Sequence, residues 1–187
     1  MSIVVVTDDN QALADEVADE IQSLILNHRE GFTYKSDPLA VSLAQAAALA
    51  QGEGEGPVLL LDHSDNVMSG GTCDTMDVLS GALSFGLTNI AVGPIADPQV
   101  VQQMIAAGVG ATVTVDLGNK AGWTSLGKAH PPLNLTGKVK AITDGSFKVT
   151  GPIFTGAIAK MGPTAVLDTG TAQIVICLLY TSPSPRD

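Results

Sequence analysis

Apolar positions along the chain switch between two periods, and the switches mark out the elements. Ile3–Val6 is a short β-branched run that predicts a strand, with Thr7-Asp8-Asp9 as the entry to a helix. Leu13, Val17, Ile21, Leu24 and Ile25 then recur at helical spacing. Ser36-Asp37-Pro38 announces a second helix, with Ser36 or Asp37 as its cap and Pro38 in its first turn. This helix runs to about Ala50, where Gly52-Glu53-Gly54-Glu55-Gly56-Pro57 breaks it. Val58–Leu61 is apolar throughout, the pattern of a strand buried on both faces of a parallel sheet. A polar loop from Asp62 to Asp74 leads into a helix from about Thr75 to Phe85. Ile90–Val92 predicts the next strand, Asp97-Pro98 caps a helix running to Ala107, and Thr112–Leu117 closes the alternating section. Strand, helix, strand, helix, strand implies right-handed crossovers and a mostly parallel sheet.

From Pro131 onward the pattern changes to strands at short spacing. Asp144-Gly145 reads as a hairpin turn between Leu133–Ile142 and Phe147–Val149. Ala165–Asp168 and Ala172–Ile176 form another hairpin around Thr169-Gly170. The expected class is α/β, with a mostly parallel sheet and flanking helices in the first half and antiparallel β hairpins in the second.

Composition narrows the function classes. With 187 residues, 45% of them hydrophobic and 15% charged, the chain can bury a sizeable core. Aromatics are only 4%, so that core is aliphatic. A net charge of -10 leaves no basic surface for nucleic acid or an anionic membrane. No apolar run is long enough to span a bilayer, and the N-terminus lacks the basic flank and cleavage site of a signal peptide. Cys73 and Cys177 offer neither a disulfide framework nor a cysteine zinc site, so the expected compartment is the cytoplasm. Cys177 to Asp187 reads CLLYTSPSPRD, which resembles a translated sequencing adapter. Met1 stands directly against a strand-like run, as in a frame begun at an internal Met. The chain is therefore expected to be a fragment, with residues 177–187 an artefactual tail.

Candidate chemistry concentrates in the loop from Asp62 to Thr75, which leaves the end of an expected strand and enters a helix. In open α/β sheets ligands sit beyond the strand ends. Gly70-Gly71 permits close backbone approach, and the helix N-terminus offers N–H groups to an anion or carbonyl oxygen. Asp62, His63 and Asp65 bring two carboxylates and an imidazole within four residues, enough for acid–base work or a metal ligand. The bland readings stand beside these. Asp74 and Thr75 suit helix caps, Gly70-Gly71 suits a plain turn, and His63 suits a loop-orienting role. Cys73 reads as a structural thiol with no activating neighbour, and His28 and His130 as surface or packing residues. No HExxH pair, Walker loop or serine elbow occurs.

Several blocks carry a resemblance. LDHSDNVMSGGTCDTMDVL (Leu61 to Leu79), GPIADPQVVQQMIAAGVGATVTVDLG (Gly93 to Gly118), LTGKVKAITDGSF (Leu135 to Phe147), TGPIFTG (Thr150 to Gly156) and MGPTAVLDTG (Met161 to Gly170) resemble the C-terminal domain of the MlrC family, the microcystinase C-type metallopeptidases. ALADEVADEI (Ala12 to Ile21) is similar to the family's linking segment. The resemblance implies a linking segment over residues 1–57 and the C-terminal domain over 58–176. It implies a parent hydrolase in which a zinc-activated water attacks the amide of a small or linearised cyclic peptide. The zinc ligands would lie in a missing N-terminal domain, the chain's expected partner, so none is assigned here and the fragment alone is expected to be inactive. On this reading Asp65 and Asn66 hold substrate or water, and Asp62, His63, Gly70, Gly71, Asp74 and Thr75 line the substrate side. Two other readings stay open. One is a non-catalytic α/β module binding a small molecule or anion; the other is an independent hydrolase with Asp62, His63 and Asp65 as its metal site. Apolar surface left by the missing domain would make the isolated chain poorly soluble.

Overall fold

The computed structural model describes residues 2–52, 54, 56–120 and 130–179. The chain divides into two compact units, Met1–Pro38 and Leu39–Asp187. The first holds α1 (Gln11–Asn27), whose Asn10 side chain accepts a hydrogen bond from Leu13 N, and a single 3-10 turn at Arg29–Phe32. Of the apolar stripe on α1, Leu13 and Leu24 stay exposed, and Ala14 is the buried residue of the helix. Ile3–Val6 carries no strand, and Val4 and Val6 are exposed. A β-branched run becomes a strand only where its backbone is paired, and no such pairing is made at Ile3–Val6 among the described residues.

The second unit contains α2 (Leu39–Ala50), α3 (Asp77–Ser84), α4 (Pro98–Ala107) and seven strands. These are β1 (Ile90–Ala96), β2 (Thr112–Leu117), β3 (Leu133–Thr143), β4 (Ser146–Lys148), β5 (Ile158–Lys160), β6 (Thr164–Asp168) and β7 (Ala172–Cys177). Five form one sheet in the order β1-β7-β6-β3-β2, while β4 and β5 pair separately. The α/β class holds, but the mostly parallel sheet does not. β1 and β7 are parallel, and the other three pairings are antiparallel. The helix between β1 and β2 links opposite edges of the sheet rather than neighbouring parallel strands. The hairpin at Thr169-Gly170 forms as expected, pairing Asp168 with Gln173. The Asp144-Gly145 turn does not pair β3 with β4; β3 lies against β6 and β2, and β4 pairs with β5.

Val58–Leu61 is the plainest departure. No strand forms there, and Leu59 and Leu61 are each 79% exposed. Its composition suits a doubly buried strand, but no described strand lies beside it to supply the ladder. Strand β7 ends at Cys177, whose side chain is buried against the Ile95 carbonyl, one residue beyond the apolar run read from the sequence.

The core is the aliphatic one that the composition requires. Val100, Val101 and Met104 of α4 pack on Val115, Leu117, Val139, Leu167, Ile174 and Ile176 from the sheet, with Met76 and Leu79 at one side. α4 has the caps that its sequence announces: the Asp97 side chain accepts from Val100 N, with Pro98 in the first turn. α2 meets α3 at Gly81, where a Cβ would lie 2.7 Å from Leu43 Cδ1. The missing side chain lets Leu43 bury to 1% exposure. Although β1 and β2 lie at opposite edges, Gly118 N donates to Asp97 Oδ2 at 2.9 Å. The sheet therefore curls until the C-terminal ends of its two edge strands meet. Among the described residues no helix is long and apolar enough to cross a membrane.

Candidate functional site

The loop from Asp62 to Thr75 packs where the strand ends converge, and its own carboxylates hold it there. Asp62 Oδ1 accepts from Ser64 N, Ser64 Oγ and Asp65 N at 3.2, 2.8 and 3.3 Å, an Asx-type turn out of the exposed Val58–Leu61 segment. Val67–Ser69 makes one 3-10 turn, closed by the Asn66 carbonyl accepting from Ser69 N and Gly71 N. At Gly71 a Cβ would stand 2.6 Å from the Asp65 carbonyl carbon and 2.8 Å from its Oδ1. Only glycine lets the returning chain come this close to Asp65.

Asp65 is the hub of the loop. Its Oδ1 accepts from Cys73 N at 2.8 Å and lies 3.5 Å from the Thr72 hydroxyl oxygen. Its Oδ2 accepts from Thr75 N at 2.9 Å and faces Thr75 Oγ1 at 3.0 Å. Asp62 Oδ2 approaches that same hydroxyl oxygen at 3.1 Å. One hydroxyl proton serves two carboxylates, so it can satisfy only one of them fully at a time.

Asp74 carries the loop to the other edge strand. It is 4% exposed, accepting from the Thr72 hydroxyl at 2.5 Å and from Lys120 N at 2.8 Å. Its main-chain carbonyl accepts from Asn119 N, and Asn119 Oδ1 in turn accepts from Met76 N at 3.2 Å. Lys120 Nζ donates to both oxygens of Asp97, at 2.9 and 2.8 Å, and Asp97 is 1% exposed. Asp97 thus receives four donors: its cap amide, Gly118 N and two from Lys120. These donors offset the cost of burying the Asp97 side chain.

Cys73 pins the loop to the sheet. Its backbone sits at φ 59°, its carbonyl accepts from Ala96 N, and its thiol donates to the Pro94 carbonyl at 2.8 Å. Burial first, and then the Asp65 charge, push this thiol up to about 11. Burial likewise raises Cys177. A thiol held protonated in this way suits a structural part rather than a nucleophile.

Most of the residues singled out in the sequence come together here. Asp62, Asp65, Gly71, Asp74 and Thr75 share one hydrogen-bonded unit, while His63, Asn66 and Gly70 lie on its exposed side. Asp74 and Thr75 are not helix caps. α3 begins at Asp77 with Met76 at its cap, and their side chains turn inward to the loop instead. His130 stands 3.3 Å from Asp77, lining with Ser80 and Asn119 a cavity of about 170 Å³ beside the loop. A larger hollow of about 570 Å³, at Lys138, Lys140 and Asp168, has no lining residue in the loop. Asn119, Lys120 and the second role of Asp97 escaped the sequence reading. The available signal was their position just past the ends of β2 and β1, where α/β proteins place ligands.

No group of three or more His, Cys, Asp or Glu side chains among the described residues could hold a metal ion. His63 is exposed, whereas Asp62 and Asp65 spend their oxygens inside the loop, so the three do not form a metal site.

Fold and site together define an α/β domain whose carboxylate-pinned loop closes the converging ends of a curled, mostly antiparallel sheet. Residues 60–186 match the family described as MlrC C-terminus, and the chain belongs to that family. Microcystinase C of Sphingomonas sp is 26% identical over 178 residues, which are 93% of this chain and 32% of that protein. A crystal structure of a candidate metallopeptidase from Mesorhizobium sp. BNC1 superimposes with a TM-score of 0.73 at 22% identity, over 93% of this chain and 33% of the other. That likeness shows the fold. The chain spans about a third of the length of each of these two relatives.

Proposed function

We propose that this chain is the C-terminal part of a metal-dependent peptidase or amidohydrolase, with zinc as the metal and small or linearised cyclic peptides as substrates. The family match across the whole Asp62–Thr75 loop carries this reading, supported by the names of the two relatives. The described side chains do not fit a metal ion, so the zinc ligands are assigned to the part of the longer protein outside this chain. The chain's own contribution is a rigid wall of the substrate site. Asp65 acts as a positioning residue, because its oxygens are already committed to Cys73 N, Thr75 N and Thr75 Oγ1. Exposed Asn66 and His63, with the Gly70-Gly71 turn between the two halves of the loop, form the face that meets the peptide. A rigid donor and acceptor face lowers the ordering cost of holding an amide in one pose. The parent protein is expected to act in the cytoplasm.

The alternative of a small-molecule or anion-binding module has less support. Asp77 places a carboxylate in the first turn of α3, and the Met76 amide is already taken by Asn119. The test is to recover the complete reading frame, then measure zinc content and peptide hydrolysis for the parent, Asn66→Ala and Asp65→Ala. Zinc-dependent hydrolysis lowered at least about tenfold by Asn66→Ala, with the fold intact, supports a substrate-facing loop. Unchanged hydrolysis in Asn66→Ala would demote the loop to scaffolding. A complete protein that binds no metal and cleaves no peptide would defeat the peptidase reading.

A further inference from the structure

The hairpin of β4 and β5 is separate from the main sheet and ends in an apolar tip that the candidate site does not use. At its tip Ile153 is 72% and Phe154 69% exposed, and on the strands below Phe147 at 49% and Ile158 at 60% point to opposite faces of the hairpin. The tip between the strands is built rather than loose. Val149 N donates to the Ala157 carbonyl, Gly156 N to the Val149 carbonyl, and Ala157 N to the Phe154 carbonyl, while the Thr155 hydroxyl reaches the Gly151 carbonyl. Phe154 is held at φ 58°, a left-handed backbone that a bulky residue seldom adopts. A closed loop displaying two large apolar side chains to water is costly unless something covers them.

Charge points to what covers it. From Gly145 to Lys160 the chain has two lysines, Lys148 and Lys160, and no acidic residue. The hairpin is thus a locally cationic element in a chain whose formal net charge is -10. An apolar tip on a hairpin whose two charged residues are both cations complements an apolar hollow rimmed by carboxylates. Roughly two-thirds of each relative lies outside the length matched by this chain, enough for a further domain.

We infer that the β4–β5 hairpin is a docking finger that inserts Ile153 and Phe154 into an acid-rimmed apolar surface on the remaining part of the longer family chain. This inference rests on the reading that the chain is one part of a larger hydrolase, and it adds the element that joins the parts.

The test compares hydrogen exchange of peptides spanning residues 147–158 in this chain alone and in the protein from the complete reading frame. Exchange slowed at least about tenfold in the longer protein is the expected result. The double variant Ile153→Lys with Phe154→Asn, made in the longer protein, should return it to the rate of the isolated chain. Both positions are exposed and Asn tolerates the left-handed backbone, so folding of the hairpin should survive. Equal exchange in the two proteins overturns the inference, as does a complete reading frame no longer than this chain. The functional reading fails separately: a protected finger in a protein without metal or hydrolysis sinks the peptidase alone, and hydrolysis with an unprotected finger sinks the finger alone.

Discussion

Removing the Asp65 carboxylate should unfasten the loop, and the cost can be worked from its partners. In Asp65→Ala the amides of Cys73 and Thr75 lose acceptors at 2.8 and 2.9 Å, and the Thr75 hydroxyl loses one of the two carboxylates that it faces. A hydrogen bond to a charged group contributes about 1.5–3 kcal/mol, so the two amides together set a scale of about 3–6 kcal/mol. The site is only partly buried, and water entering the gap recovers part of this, which brings the expectation to about 3 kcal/mol. Cys73 adds to the effect, because its φ of 59° persists only while the Asp65 and Ala96 contacts hold it. Asp65→Asn should be nearly as damaging, since an amide NH2 would face the Thr75 N–H, donor against donor. Urea unfolding followed by circular dichroism gives the difference in stability directly. A loss below about 1 kcal/mol in both variants would refute the hub role of Asp65.

Other expectations follow from single features of the same structure. Gly71→Ala places a Cβ 2.6 Å from the Asp65 backbone and should cost about 1–3 kcal/mol in thermal unfolding. Gly70→Ala meets open space and should cost only about 1 kcal/mol, through its φ of 88°. Lys120→Met leaves the Asp97 carboxylate buried with two of its four donors gone; a loss of about 3 kcal/mol is expected in denaturant unfolding, and Asp97→Ala should lose at least as much. With Cys73 raised from 9.0 to about 11, its thiolate fraction near pH 8 falls about a hundredfold, so a disulfide reagent should label it far more slowly than a free thiol. The linked stability has a definite sign. A raised thiol pKa favours the neutral form in the folded state, so its contribution is full below about pH 9 and is lost as pH rises through about 11. Fast labelling at pH 8, or no alkaline loss relative to Cys73→Ser, would contradict the buried, Asp65-facing thiol.

Much of the local structure was legible in the sequence. The helical spacing from Leu13 to Ile25 lies within α1, and Asp97-Pro98 caps α4. The apolar runs at Ile90, Thr112, Leu133, Ala165 and Ala172 all fall on strands. These features depend on neighbours within a turn or a few residues, where side-chain period and cap chemistry decide the outcome. The Asp62–Thr75 loop was legible as a candidate site for a similar reason, because a polar, glycine-bearing stretch between apolar elements has few structural uses.

Local pattern was enough to place the helices, most of the strands and the stretch where polar chemistry gathers. Tertiary structure alone decided how the strands pair, that Val58–Leu61 stays outside the sheet, and that β1 and β2 occupy opposite edges yet meet at Asp97 and Gly118. It also decided that Asp74 and Thr75 turn away from the helix cap, and that Asn119 and Lys120, more than forty positions further along, close the site. The reason is physical. A hydrophobic period names the face that a segment will bury, but the partner of that face is chosen by contacts between residues far apart in the chain, and no local pattern encodes them.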